Sequence, residues 1–186
     1  MDKMTRKATI RASNEETKSL TFVMISRENT CKRFDWNNGR YYNETLDING
    51  ARFDELKTMF KDHEPSVDNA IARVENIREE DGELLCDAVF ASDDDSQKIY
   101  KKYIDGVLSD VSIGYSIKEQ KREKGEDSID EVLVTDFSIL ELSAVWKGAD
   151  KGAKKREEEQ MAQMKQSAYY ETQKRKLNLK EKEIVL

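Results

Sequence analysis

The chain has a single histidine and only two cysteines among 186 residues. A multi-histidine metal site is therefore excluded within one chain. Cys31 and Cys86 make neither a disulfide framework nor a metal-ligand spacing, and they read as reduced thiols. Long apolar runs are also missing. The longest, Leu20 to Ile25, is strand-sized and well short of the roughly 18 residues a membrane span needs. Met1 to Arg11 is charged and lacks an apolar stretch, so no secretory leader is expected. Apolar residues make up 37% of the chain and charged residues 38%. An average chain has roughly 25% charged residues, so part of this one is expected to lie outside a core. The net charge of −6 argues against a dedicated DNA-binding domain.

What remains is a length that suits one domain, or one domain with a tail, and is enough to bury a core unaided. Charge is uneven along it. Residues 151–186 carry ten basic and six acidic side chains, the remainder 22 basic and 32 acidic. The seam falls at Lys147-Gly148-Ala149-Asp150-Lys151-Gly152, where two glycines mark a domain edge. The expected organisation is an N-terminal arm over 1–17, a folded domain over 18–150 and a charged tail over 151–186. Within the tail, 154–182 reads as a solvated helix or a disordered segment. Met161, Met164 and Ala168 form a thin apolar stripe there, which a partner could dock on. Lys174-Arg175-Lys176 has no interleaved aromatics and reads as solvated rather than as a nucleic-acid patch.

Within 18–150, Leu20–Ser26 is a β-type run. Residues 27–49 read as polar and irregular. Phe53, Leu56 and Phe60 predict a short helix over 51–61. Asp81-Gly82 between Ile71–Ile77 and Leu84–Phe90 predicts a hairpin. Ser92, followed by three aspartates, predicts a helix N-cap, and Gly106 its end. From Val111 the chain alternates: Val111, Ile113, Tyr115 and Ile117 on one face, Ser112, Gly114 and Ser116 on the other. The small-residue face lets something approach closely. Residues 119–131 read as a charged loop, then 132–134 and 137–146 as strands. In the last, Leu140, Leu142, Ala144 and Trp146 share one face, and Ile139, Glu141, Ser143 and Val145 the other. The expected class is α+β, an antiparallel barrel-like core flanked by helices.

Three residues could carry chemistry: His63, Ser112 and Glu141. A serine hydroxyl needs an adjacent base, and the base an orienting acceptor. By pattern alone the plain readings stand beside this: a loop-capping histidine, an outward-facing strand serine, a solvated strand-edge glutamate.

The motifs, taken in order, resemble the prohead (procapsid maturation) protease family of tailed bacteriophages. Gly50-Ala51-Arg52-Phe53 resembles the entry to that family's first helix. Asp62-His63-Glu64 resembles its apolar–His–acid segment. Ile71-Ala72-Arg73-Val74 with Asp81-Gly82-Glu83-Leu84 resembles its hairpin, and the stretch from Ser92 to Ser109 the helix before the nucleophile strand. Asp110-Val111-Ser112-Ile113-Gly114-Tyr115 resembles its Ser-x-Gly-aromatic motif. Leu140-Glu141-Leu142-Ser143-Ala144-Val145 resembles its Glu-x-Ser-x-Val strand. A Pro-Ala-Asn-type turn usual after that strand is replaced here by Trp146-Lys147-Gly148-Ala149-Asp150. The resemblance implies a serine endopeptidase with Ser112 as nucleophile, His63 as base and Glu141 as third member. Asp62 and Asp136 are rivals for that last place. Backbone N–H groups beside Ser112, or Arg73, are candidates for the oxyanion hole. No cofactor or metal is implied. The implied substrates are the scaffolding segment of the major capsid protein, a scaffolding protein and the protease itself, cleaved inside the procapsid in the host cytoplasm. Neither nucleic acid nor membrane is an expected partner. Herpesvirus-type assembly proteases, which the family distantly resembles, can dimerise and use a second histidine. Two other classes fit the same residues: a non-catalytic scaffold or assembly protein, and a β-barrel binding module in which Ser112 and His63 lie far apart.

Overall fold

In chain order the strands are β1 (Met4–Asn14), β2 (Ser19–Ile25), β3 (Cys31–Asp35), β4 (Arg40–Leu46), β5 (Ala51–Arg52), β6 (Thr58–Lys61), β7 (Ala70–Glu80) and β8 (Glu83–Phe90). Helix α1 (Asp94–Ile104), β9 (Asp110–Lys124) and β10 (Asp130–Ala144) follow. This is a computed structural model that describes residues 4–14, 18–125 and 129–147, with the backbone alone for 4–14. The tail expected over 151–186 lies outside the described residues, as do residues 1–3 and 15–17 of the expected arm. No described helix is long and apolar enough to cross a membrane.

All ten strands join one sheet in the order β3-β4-β10-β6-β7-β8-β2-β1-β9, with β5 on β10 and a further β9–β10 pairing. β10 is its spine. Its 15 residues take three short strands in succession, all parallel to it. Tyr42–Leu46 lies along Asp130–Val134, Ala51–Arg52 along Phe137–Ser138, and Met59–Lys61 along Leu142–Ala144. The remaining pairings are antiparallel. The sheet is therefore mixed, not the antiparallel one expected. The connection from β4 into β5 passes so close to β10 that a Cβ on Gly50 would stand 2.0 Å from the Thr135 carbonyl oxygen.

Local chemistry explains the elements that the pattern foretold. β7 and β8 turn at Asp81 and Gly82, both with positive φ (53° and 73°), as a two-residue hairpin demands. The α1 cap is Asp93, not Ser92: its carboxylate accepts from the Ser96 N–H at 2.9 Å, and Asp94 and Asp95 fill the positive first turn. Gly106, at φ +72°, takes the left-handed position just past the helix end. Tyr100 and Tyr103 turn inward. Tyr103 meets Phe22 edge-to-face with centroids 5.3 Å apart, and Tyr100 meets Phe90 likewise at 5.4 Å. The Tyr103 hydroxyl donates to the Asp110 carbonyl at 2.8 Å, which pins α1 to the first residue of β9. From β9, Val111, Ile113 and Tyr115 are fully buried, so the apolar row faces the core as expected.

Four further expectations are corrected. Residues 51–61 form no α-helix. They hold β5, a turn and β6, because β10 offers a ladder that outweighs the helical spacing of Phe53, Leu56 and Phe60. Residues 27–49 are not irregular: β3 and β4 make a hairpin from Cys31 to Leu46. The charged stretch 119–131 is mostly strand, with β9 running on to Lys124 and β10 beginning at Asp130. It is polar because it is exposed, not because it is unstructured. Finally, only one α-helix is present among the described residues, where two were expected. The α+β class holds, weighted heavily to strand.

Candidate active site

Glu141 owes its position to an irregularity in β10. Between Ile139 and Glu141 the register against β9 slips, so that Ile139 opposes Tyr115 while Glu141 opposes Gly114. Leu140 is the extra residue and is 38% exposed. A bulge of this kind re-aims the next side chain. Ile139 stays on the core face, and Glu141 crosses to the face of Ser112 and Gly114. The sequence pattern had put Ile139 and Glu141 on one face and Leu140 with Leu142; the bulge separates both pairs. Glu141 ends 2% exposed.

A buried carboxylate needs a partner, and His63 is one. Its Nδ1 lies 2.6 Å from Glu141 Oε1, and its side chain keeps 25% of its surface exposed. Backbone geometry brings it there. β6 ends at Lys61 beside Ala144, and the Asp62 N–H continues the ladder to the Ala144 carbonyl at 2.9 Å. The chain then reverses in a tight turn closed by the Glu64 N–H on the Lys61 carbonyl at 2.9 Å. Both central residues, Asp62 and His63, have positive φ (51° and 61°). Aspartate and histidine tolerate this region better than most residues, but it still costs free energy, and such strain gathers at functional sites.

Ser112 sits on β9 directly opposite Ser143 of β10, which in turn lies beside Phe60 of β6. Directly opposed residues share a face, and Glu141 is two residues from Ser143 on that same face. Ser112 is 2% exposed and Ser143 0%. Ser143 Oγ is buried without a hydrogen-bond partner. Thus the structure brings His63 and Glu141 into contact, with Ser112 one strand away on the same face. Ser143 was noted in the sequence only as part of the Glu-x-Ser motif; its buried, unpaired hydroxyl is a tertiary fact.

The other candidates are placed elsewhere. Asp136 is held by Arg52 through two bonds of 2.7 and 2.6 Å, and that pairing keeps its carboxyl below the usual range. Asp62 is exposed. Arg73 is exposed and paired with Glu75 at 2.9 Å. Where Lys61 leaves β6, a cleft of ≈ 410 Å³ is lined by Lys61, Lys98, Lys101 and Lys102 with Asp95 and Asp105. Three or more His, Cys, Asp or Glu side chains gather nowhere among the described residues as a metal site would require.

A lone imidazole set on a buried carboxylate, one strand from a serine, is a layout that serine peptidases use. A family model for the caudovirus prohead serine protease matches residues 54–167, more than half of the chain, and the chain belongs to that family. No curated protein and no solved structure matches it. The chain is thus a serine protease of the capsid-maturation type.

Proposed function

We propose that this chain is an endopeptidase whose catalytic residues are Ser112, His63 and Glu141. The observation that carries the reading is the 2.6 Å contact between the chain's one imidazole and a buried carboxylate, on the sheet face that holds Ser112. With Nδ1–H donated to Glu141, the His63 Nε2 lone pair is free to accept a proton. It takes the Ser112 hydroxyl proton as Oγ attacks the scissile carbonyl carbon. It returns that proton to the amine as the C–N bond breaks. A water then hydrolyses the acyl-serine by the same route. Glu141 fixes the tautomer and stabilises the imidazolium formed in both halves.

The substrates on this reading are the scaffolding segment of the major capsid protein, a scaffolding protein, and the chain itself, cut within the procapsid in the host cytoplasm. Residues 151–186 are the segment offered for self-cleavage. The pairing of β9 with both β1 and β10 supports a barrel-like arrangement of the sheet. On that arrangement rests the distant likeness to herpesvirus-type assembly proteases, with Glu141 in place of their second histidine. The alternative class, a non-catalytic scaffold, is favoured only by the charged tail sequence and the low apolar fraction.

The test is co-expression with the cognate capsid protein, with the masses of both chains as the readout. Wild type should shorten the capsid protein, and Ser112→Ala and His63→Ala should leave it intact. Equal processing by Ser112→Ala would remove Ser112 as nucleophile.

A further inference from the structure

Acyl transfer needs a donor for the oxyanion, and the usual source is a backbone N–H beside the nucleophile. Here that source is closed. β9 is paired on both edges at Ser112, by β1 at Lys7 and by β10 at Ser143. In a strand laddered on both sides, successive N–H groups are spent on alternate neighbours. Arg73, the basic candidate, is exposed and paired with Glu75 at 2.9 Å.

One donor is uncommitted. Ser143 is 0% exposed, and its Oγ has no hydrogen-bond partner. A hydroxyl buried in this way costs the fold free energy. It also stands directly opposite Ser112. Opposed side chains on one face have Cβ atoms about 4.5–5.5 Å apart. An oxyanion formed on the carbon attacked by Ser112 Oγ therefore develops beside the residue that carries this hydroxyl.

We propose that the Ser143 hydroxyl is an oxyanion-hole donor of this protease. It deepens the peptidase reading above and rests on it. Unpaired in the resting enzyme, the hydroxyl gains its partner only when negative charge develops, so its desolvation is already met before the reaction begins. Phe60 and His63 bound the site on the β6 side, and Glu141 lies along β10.

A fluorophosphonate probe tests this without a known substrate. Ser112 Oγ attacks phosphorus, the P–F bond breaks, fluoride leaves, the hydroxyl proton passes to His63, and the phosphoryl oxygen occupies the oxyanion position. Full-length wild type should be labelled at Ser112, located by mass spectrometry. Ser143→Ala should be labelled about 100-fold more slowly while melting no lower than wild type, since it loses an unpaired hydroxyl. Ser143→Thr, which keeps a hydroxyl, should recover most of the rate. Labelling of Ser143→Ala at a rate close to wild type would overturn the proposal. So would a Ser143→Thr variant as slow as alanine, or a slow alanine variant that has lost several degrees of melting temperature. A wild type that is never labelled at Ser112 would instead overturn the peptidase reading itself.

Discussion

Replacing Glu141 by glutamine removes one charge and almost no volume, so it isolates what the carboxylate does. Its oxygen lies 2.6 Å from His63 Nδ1, and its side chain is 3% exposed. The charge centres of the carboxylate and an imidazolium in that contact are roughly 4 Å apart. At an effective dielectric constant of about 20, two unit charges at that distance interact by about 4 kcal/mol. On the proposed mechanism this energy acts when Ser112 hands over its proton. At about 1.4 kcal/mol per factor of ten, its loss slows acylation about a thousandfold. Glutamine also brings a donor: its amide can point N–H at Nδ1, which drives the imidazole proton to Nε2, where it blocks acceptance from Ser112. In a Ser-His-Asp template the matching exchange costs about 10⁴, so the expected loss lies between about 10³ and 10⁴. The assay is the rate of fluorophosphonate labelling at Ser112, alongside far-ultraviolet circular dichroism. Glu141→Asp, shortened by one methylene, should fall in between, because it cannot hold the 2.6 Å contact without moving the strand. A folded Glu141→Gln labelled within about threefold of wild type would refute the assignment of Glu141 and the charge argument together.

Further outcomes follow from single contacts. Asp62→Asn should leave the labelling rate within about threefold of wild type, because Asp62 is exposed and asparagine keeps its left-handed backbone; a loss matching that of Glu141→Gln would make Asp62 the third member. Glu44→Ala should cost about 3–5 kcal/mol in urea unfolding, since fully buried Glu44 is the acceptor for Arg33 Nε at 3.3 Å and the Tyr115 hydroxyl at 2.5 Å. No change there would mean the cluster does not anchor β9 to β4. Gly50→Ala should destabilise by at least about 1–3 kcal/mol, because its Cβ would stand 2.0 Å from the Thr135 carbonyl oxygen; an unchanged melting temperature would show that the close approach yields at no cost. Burial alone would raise the Asp87 pKa, but bonds from Asn76, Thr21 and Arg78 outweigh it and hold the carboxyl below its ordinary value. A depressed folded value stabilises above the unfolded value of about 4 and is lost as pH falls through the folded one. Asp87→Asn should therefore lower the melting temperature at pH 7, and the two melting curves should converge toward pH 2. A gap that persists at pH 2 would count against the linkage.

Local signals and tertiary ones divide cleanly along this chain. The Asp81-Gly82 hairpin was legible because two adjacent residues with positive φ set its twist. The β9 alternation was legible because Val111, Ile113 and Tyr115 all bury on one face. The short motif runs around His63, Ser112 and Glu141 were legible as a family resemblance, which the family match supports at the level of the protease class. The helix read over 51–61 failed for a reason local periodicity cannot supply: Phe60 belongs to a strand only because β10, some 80 residues on, offers its edge. The charged 119–131 stretch failed similarly. Its side chains are mostly exposed, so no hydrophobic alternation marks it, and its pairing across the β9–β10 ladder is a backbone property.

The sequence by itself determined which side chains are available: one imidazole, a serine on a face of small residues, and a glutamate in an apolar strand. Only the tertiary structure decided that the imidazole meets the glutamate, and that the glutamate shares the sheet face of the serine. A one-residue bulge after Ile139 turns Glu141 to the serine face, and a turn with two left-handed residues folds His63 onto it. Strand register sets Ser143 opposite Ser112. Bulge, turn and register are fixed by hydrogen bonds between backbone segments far apart in the chain. Every residue carries the same backbone donor and acceptor, so side-chain pattern alone leaves that choice open until the whole sheet assembles.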